Sequence, residues 1–184
     1  KMIAPIDLVH SAEKGHLILS NGPYLEVTLS DSEEAGAATG GERRQAIPGD
    51  DLDLPGGFGT LHVRVQCPNW FDIDRVQVLL NGRPAKNLNW TRSANPDVFS
   101  NEVVKFDRKI PIEFKSDTHV IVIAAGENSV IGPVMGPDFG KQHPTAISNP
   151  IFVDADGGGF KANGDTLGHP LPVKEQRPVP QPKS

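Results

Sequence analysis

The stretch from Asp154 to Asp165 carries the clearest chemical signal in the sequence: carboxylates and glycines spaced as if to hold a hard cation. Counted from Asp154, Asp156 and Asp165 stand at the third and twelfth places of a calcium loop, Gly159 at its sixth and the Phe160 carbonyl at its seventh. Calcium takes roughly six to eight oxygen donors. Gly158 offers no side chain at the fifth place, and Asp165 is shorter than the bidentate glutamate that ordinarily closes such a loop. Asp154, Asp156, Phe160 and Asp165 are therefore the candidate calcium ligands, with magnesium a poor substitute. The same composition also suits an Asp/Gly turn whose carboxylates accept neighbouring backbone amides, and no helical pattern flanks it.

Other catalytic constellations do not assemble. The 6 histidines (His10, His16, His62, His119, His143 and His169) are scattered, with no His-x-His pair and no His-Glu-x-x-His. A hydrolytic metal centre needs several such donors converging around an open position. No Gly-x-Ser-x-Gly elbow activates a serine, and Gly56-Gly57-Phe58-Gly59 lacks the Lys-Ser/Thr ending of a phosphate loop. Cys67 is the single cysteine and falls in an alternating apolar run, which reads as a buried thiol. No catalytic residue and no certain cofactor is thus expected. Trp70 and Trp90 could stack on sugar rings, although Trp70 lies between two strand-like runs, where an aromatic closes the end of a core, and Trp90 lies in a loop-like region. Asn89-Trp90-Thr91 is a formal glycosylation sequon, relevant only in a eukaryotic secretory host.

Composition narrows the partners. The net charge of −5 with no long basic run excludes the electrostatic footprint of a nucleic-acid binder. No segment approaches the ~18 consecutive apolar residues of a membrane span. The chain opens on Lys1-Met2-Ile3-Ala4 and runs straight into a helical pattern, so it reads as a fragment of a longer protein. Its compartment is not legible, an exported bacterial protein being one reading.

With 19 glycines and 17 prolines in 184 residues, the positioning elements should be short strands between turns. Ile6–Lys14 predicts one short helix, ended by Gly15. Strands are expected at 16–20 and 24–29, either side of Asn21-Gly22-Pro23. The acidic, Gly-rich stretch 30–59 has few apolar residues and predicts a mobile loop. Strict alternation predicts strands at 60–67 and 73–80, followed by an Asn81-Gly82 hairpin turn and a return strand at 84–88. Two strands are expected at 103–106 and 109–114 around Asp107-Arg108. Residues 118–125 should form a central strand, and 145–153 a last one interrupted at Pro150. The core should comprise Leu61, Val63, Val65, Val76, Val78, Leu80, Val120, Val122 and Ile151. The count fits an all-β, immunoglobulin-like β-sandwich with one short N-terminal helix and an irregular C-terminal tail. Residues 1–15 are the helical lead-in, 16–153 the sandwich and 154–169 the Asp/Gly-rich loop. In 170–184, prolines at 170, 172, 178, 180 and 182 predict a disordered tail.

Three segments, in order, carry a resemblance. Asp7-Leu8-Val9 followed by Lys14-Gly15-His16 and Ser20-Asn21-Gly22-Pro23 resembles a stretch in metallohydrolases of the polymerase-and-histidinol-phosphatase superfamily, CehA/McbA type. Asp72-Ile73-Asp74-Arg75-Val76, running to Asn81-Gly82, is similar to a strand of the β-domain behind their catalytic part, and Ser148-Asn149-Pro150-Ile151 to its closing strand. In that family the metal ligands lie upstream of the Ser-Asn-Gly-Pro segment, so none carries over to a residue here. The resemblance implies a non-catalytic accessory domain of a larger bacterial metal-dependent hydrolase, its partner being the upstream catalytic domain of the same polypeptide. The alternative is a carbohydrate- or surface-binding module, with calcium support from the Asp154–Asp165 loop.

Overall fold

A computed structural model describes residues 4–31 and 44–169. The expected loop interior at 32–43 and the tail at 170–184 lie outside the described residues. The chain is a β-sandwich entered through one short helix, α1 (Pro5–Glu13), that ends at Gly15 in the left-handed region (φ 73°). Pro5 suits the first helical turn, and Asp7 accepts the Ala4 N–H at 3.0 Å.

The smaller sheet has the order β3 (Gln45–Ala46), β2 (Tyr24–Asp31), β5 (Phe58–Gln66), β8 (Val104–Glu113), all antiparallel. The larger sheet is built on β9 (Thr118–Ala125). One edge of β9 takes β6 (Arg75–Leu80), which pairs in turn with β7 (Arg83–Thr91). Its other edge takes β10 (Thr145–Ser148) and β11 (Ile151–Asp154) end to end, with Pro150 between them. β1 (Ile18–Ser20) lies outside β10, and β4 (Asp51–Asp53) lies parallel to β11.

The alternating residues do the packing. Leu61, Val63 and Val65 of β5 face Val76 and Val78 of β6, Val120 and Val122 of β9 and Ile151 of β11 within one buried cluster. Burying each such side chain stabilises the fold by about 1.5–3 kcal/mol. Asn81 and Gly82 turn the β6–β7 hairpin with φ of 51° and 74°, the positive values that a type I′ turn requires.

Several expectations are corrected. The stretch 44–59 is not a loop: it supplies β3, β4 and the start of β5, and it buries Ala46, Leu52 and Leu54. Leu52 and Leu54 alternate with Asp51 and Asp53, so the leucines reach the core while the carboxylates stay in water. Residues 103–114 make one strand, β8, rather than two. Asp107 pairs across to Arg64 on the solvent face and Arg108, itself exposed, stands opposite Val63, so the ladder with β5 runs through both polar residues without a break. Leu80 is only half-buried against the core. Trp90 lies on β7 and packs its ring 5.6 Å from Phe106, so it is not in a loop. Trp70 does not close the core; it is 63% exposed, and Phe71 beside it is buried instead. Pro84 and Pro111 lie on β7 and β8, which among the described residues are edge strands of their sheets, where proline is tolerated.

The foot of α1 is pinned to the larger sheet, at the β10–β11 link and the approach to β4. Asn149 donates from its side chain to the Gly15 carbonyl at 2.9 Å and from its backbone to Leu17 at 3.0 Å. His16 Nε2 lies 2.7 Å from Asp50 Oδ1. Gly49 (φ 101°) passes so close that a Cβ there would sit 2.5 Å from the Lys14 carbonyl oxygen.

Candidate functional site

Asp154 ends β11 and is buried. Its Oδ1 accepts the N–H groups of Asp156 (3.1 Å) and Gly157 (2.7 Å), and its Oδ2 accepts that of Gly159 (2.6 Å). Asp156 Oδ1 accepts the Gly158 N–H at 2.7 Å. Because Val153 pairs with Thr118 across the β9–β11 ladder, the residue before β9 is brought alongside. That residue is Asp117, whose two oxygens accept the N–H groups of Ala155 (3.1 Å) and Lys161 (2.8 Å).

Asp117, Asp154 and Asp156 can each place one ligand atom within 4.8 Å of the others. Among the described residues this is the one such group of histidine, cysteine and carboxylate side chains. Burial acts to raise the Asp154 pKa, but the N–H groups of Gly159, Gly157 and Asp156 together hold its carboxyl below the ordinary value.

The other two sequence candidates lie outside this group. Asp165 is held by Arg83, whose Nε and NH2 donate to its two oxygens at 2.6 and 2.9 Å, and this pairing lowers its pKa. Phe160 turns its ring onto Phe152 of β11, with centroids 5.0 Å apart. The structure therefore brings together Asp154 and Asp156 of the proposed ligands and adds Asp117. Sequence spacing missed Asp117 because its only signal is a strand register 37 residues away from Asp154 (154 − 117). Three carboxylates fit a hard oxygen-seeking cation in kind but not in number, since calcium takes roughly six to eight donors. A Cβ at Gly158 would also meet Asp156 Oδ1 at 2.8 Å and the Lys161 ammonium at 2.9 Å, so a cationic side chain already shares that space.

A polar cleft of about 420 Å³ opens between Asp72, Asp74, Arg75, Arg92 and the turn at 127–129. Its charges are spent on the fold. Arg92 NH2 donates to Asp72 and the Ser100 carbonyl, each at 2.9 Å, Arg75 Nε meets Glu127 at 2.6 Å, and Asp74 accepts the N–H groups of Glu127 and Asn128.

The apolar surface is a different matter. No residue of α1 is buried, and Ile6, Leu8 and Val9 are 54, 64 and 49% exposed. Leu17 and Leu19, just past its foot, are exposed as well. An amphipathic helix in a finished fold buries its apolar stripe. Here that stripe is left open beside a rigid anchor.

No protein family, no curated protein and no solved structure matches this chain.

Proposed function

We propose that this chain is an accessory, non-catalytic β-sandwich domain, immunoglobulin-like in architecture, of a larger bacterial metal-dependent hydrolase, and that it docks to the catalytic domain preceding it in the same polypeptide. The observation that carries this reading is α1: its foot is fixed beside β10, β11 and β4 of the larger sheet while Ile6 and Val9, one turn apart on one face, are left about half exposed. Exposed apolar residues grouped on one element mark an interaction surface. The three ordered segments that resemble the β-domain of CehA/McbA-type metallohydrolases support the identity of the partner.

Sequencing the coding region upstream of Lys1 tests it. A His-x-His cluster in a preceding domain is the expected result, and amides of α1 should exchange more slowly in the longer protein than in the 184-residue chain. Tight binding of a transition metal by the 184-residue chain, with turnover of phosphoesters or amides, would overturn the reading.

One observation favours a second reading, a carbohydrate-binding module. The Trp70 indole stands clear of the core with only an edge contact to Phe71 at 6.0 Å, which leaves a face for a sugar ring. Quenching of tryptophan fluorescence by polysaccharides, saturable in the parent and lost in Trp70→Ala, would favour that module over the accessory domain.

A further inference from the structure

β3 covers β2 only at Leu29 and Ser30, and beyond them the Asp31 N–H donates to the Arg44 carbonyl on the same side. In an antiparallel ladder, alternate residues aim both backbone groups at the same edge. Leu25 and Val27 are in phase with Leu29 and Asp31, so their N–H and C=O groups point to the edge that β3 leaves bare. Among the described residues nothing pairs with them there. The chain turns away at Ile47-Pro48 toward β4, and Pro48 has no N–H to contribute.

Leu25 and Val27 are only 2 and 4% exposed, so these polar groups are largely withdrawn from water. More than ~90% of buried backbone donors and acceptors are paired in native structures. The bare edge opens into a slot of about 260 Å³ lined, beside β2 itself, by His16, Leu17, Ile18, Ile47 and Pro48. Water could satisfy the backbone groups but would wet the apolar walls. An extended main chain with an apolar side chain satisfies both.

We propose that this slot receives an extended polypeptide strand, added to β2 beside Leu25 and Val27 and inserting an apolar side chain between Ile18 and Ile47. Its hydrogen-bond row comes from the main chain, as in other strand additions at open sheet edges. The strand belongs to the docked domain, an attribution that rests on the accessory reading because Leu17 joins the slot to the foot of α1. The chemistry of the slot does not depend on that attribution.

The test uses the 184-residue chain and a soluble probe peptide, acetyl-Lys-Thr-Val-Thr-Val-Thr-Lys-amide, followed by amide NMR. The expected result is saturable shifts confined to Tyr24–Thr28 and the slot walls, with exchange of the Leu25 and Val27 amides slowed by about tenfold or more. Peptides N-methylated at alternate residues, in either phase, keep their side chains; the phase that blocks the hydrogen-bond row should bind about tenfold more weakly. Equal binding of both methylated peptides, no saturable shift at millimolar peptide, or amides already protected in the free chain would each overturn the proposal. Ile6→Ser with Val9→Ser, which removes the α1 surface, should leave the peptide response unchanged, so loss of one reading is seen separately from loss of the other.

Discussion

Arg83 and Asp165 stand 82 residues apart and meet through two parallel hydrogen bonds, tying the C-terminal Asp/Gly-rich segment to the β6–β7 hairpin. Leu167 adds to the clasp by lying over Gly82, in a positive-φ conformation (58°) uncommon for a branched side chain. Asp165→Asn should therefore loosen residues 161–169 and leave the sandwich intact. Amide exchange is expected to speed up at Leu167 with little change in the melting temperature, because exposed ion pairs contribute little. High salt should reproduce part of the effect. A large fall in melting temperature would mean that the clasp supports the core as well.

Asp154 makes an opposite prediction. Its carboxylate serves three backbone N–H groups, so Asp154→Ala should lower the melting temperature by several degrees with or without calcium. Calcium at millimolar concentration should leave the parent's melting curve in place. A rise in melting temperature that both Asp154→Ala and Asp117→Ala abolish would instead put an ion among the three carboxylates. The pH dependence follows from the depressed folded-state pKa. The contribution of Asp154 is fully present above the unfolded value of about 3.9 and is lost as pH falls through the lower folded value. The difference between parent and Asp154→Asn, measured by urea denaturation, should thus shrink below about pH 4.

Cys67 should be inert in the native state. Burial pushes its thiol up to about 11, with the Lys105 charge only partly opposing it. Thiolate is the reactive form, so an aromatic disulfide reagent at neutral pH should label Cys67 only as fast as the chain unfolds. The folded state holds its proton where the unfolded chain has released it, so this group costs stability as pH rises from 9.0 toward 11. Rapid stoichiometric labelling without denaturant would contradict the buried placement.

Leu54→Ala should destabilise the domain about as much as Leu61→Ala, by roughly 2–5 kcal/mol each in urea denaturation, whereas half-buried Leu80→Ala should cost less. The comparison shows what the sequence could and could not disclose. Leu61 sits in a strictly alternating run, and period two alone assigns it to the core. Leu54 sits among aspartates, glycines and a proline, and nothing local shows that β4 pairs with β11, a strand 101 positions away (Leu52 with Val153). The candidate site divides in the same way. Asp154 and Asp156 are legible from their spacing, Asp117 enters only through the β9–β11 register, and Asp165 is withdrawn by an arginine on another hairpin.

The helix offers the sharpest separation of folding from docking. In a self-contained fold, replacing two apolar residues on one helical face would open a cavity and cost several kcal/mol. Here α1 buries nothing, and its position is fixed from below by Asn149, Asp50 and Gly49. Ile6→Ser with Val9→Ser should therefore shift the unfolding free energy by no more than about 0.5 kcal/mol, as surface substitutions do. The same pair of changes in the longer protein should separate the two domains, seen as faster amide exchange along α1 and two melting transitions in place of one. If the substitutions unfold the 184-residue chain, α1 belongs to the sandwich core and the docking surface must be sought elsewhere.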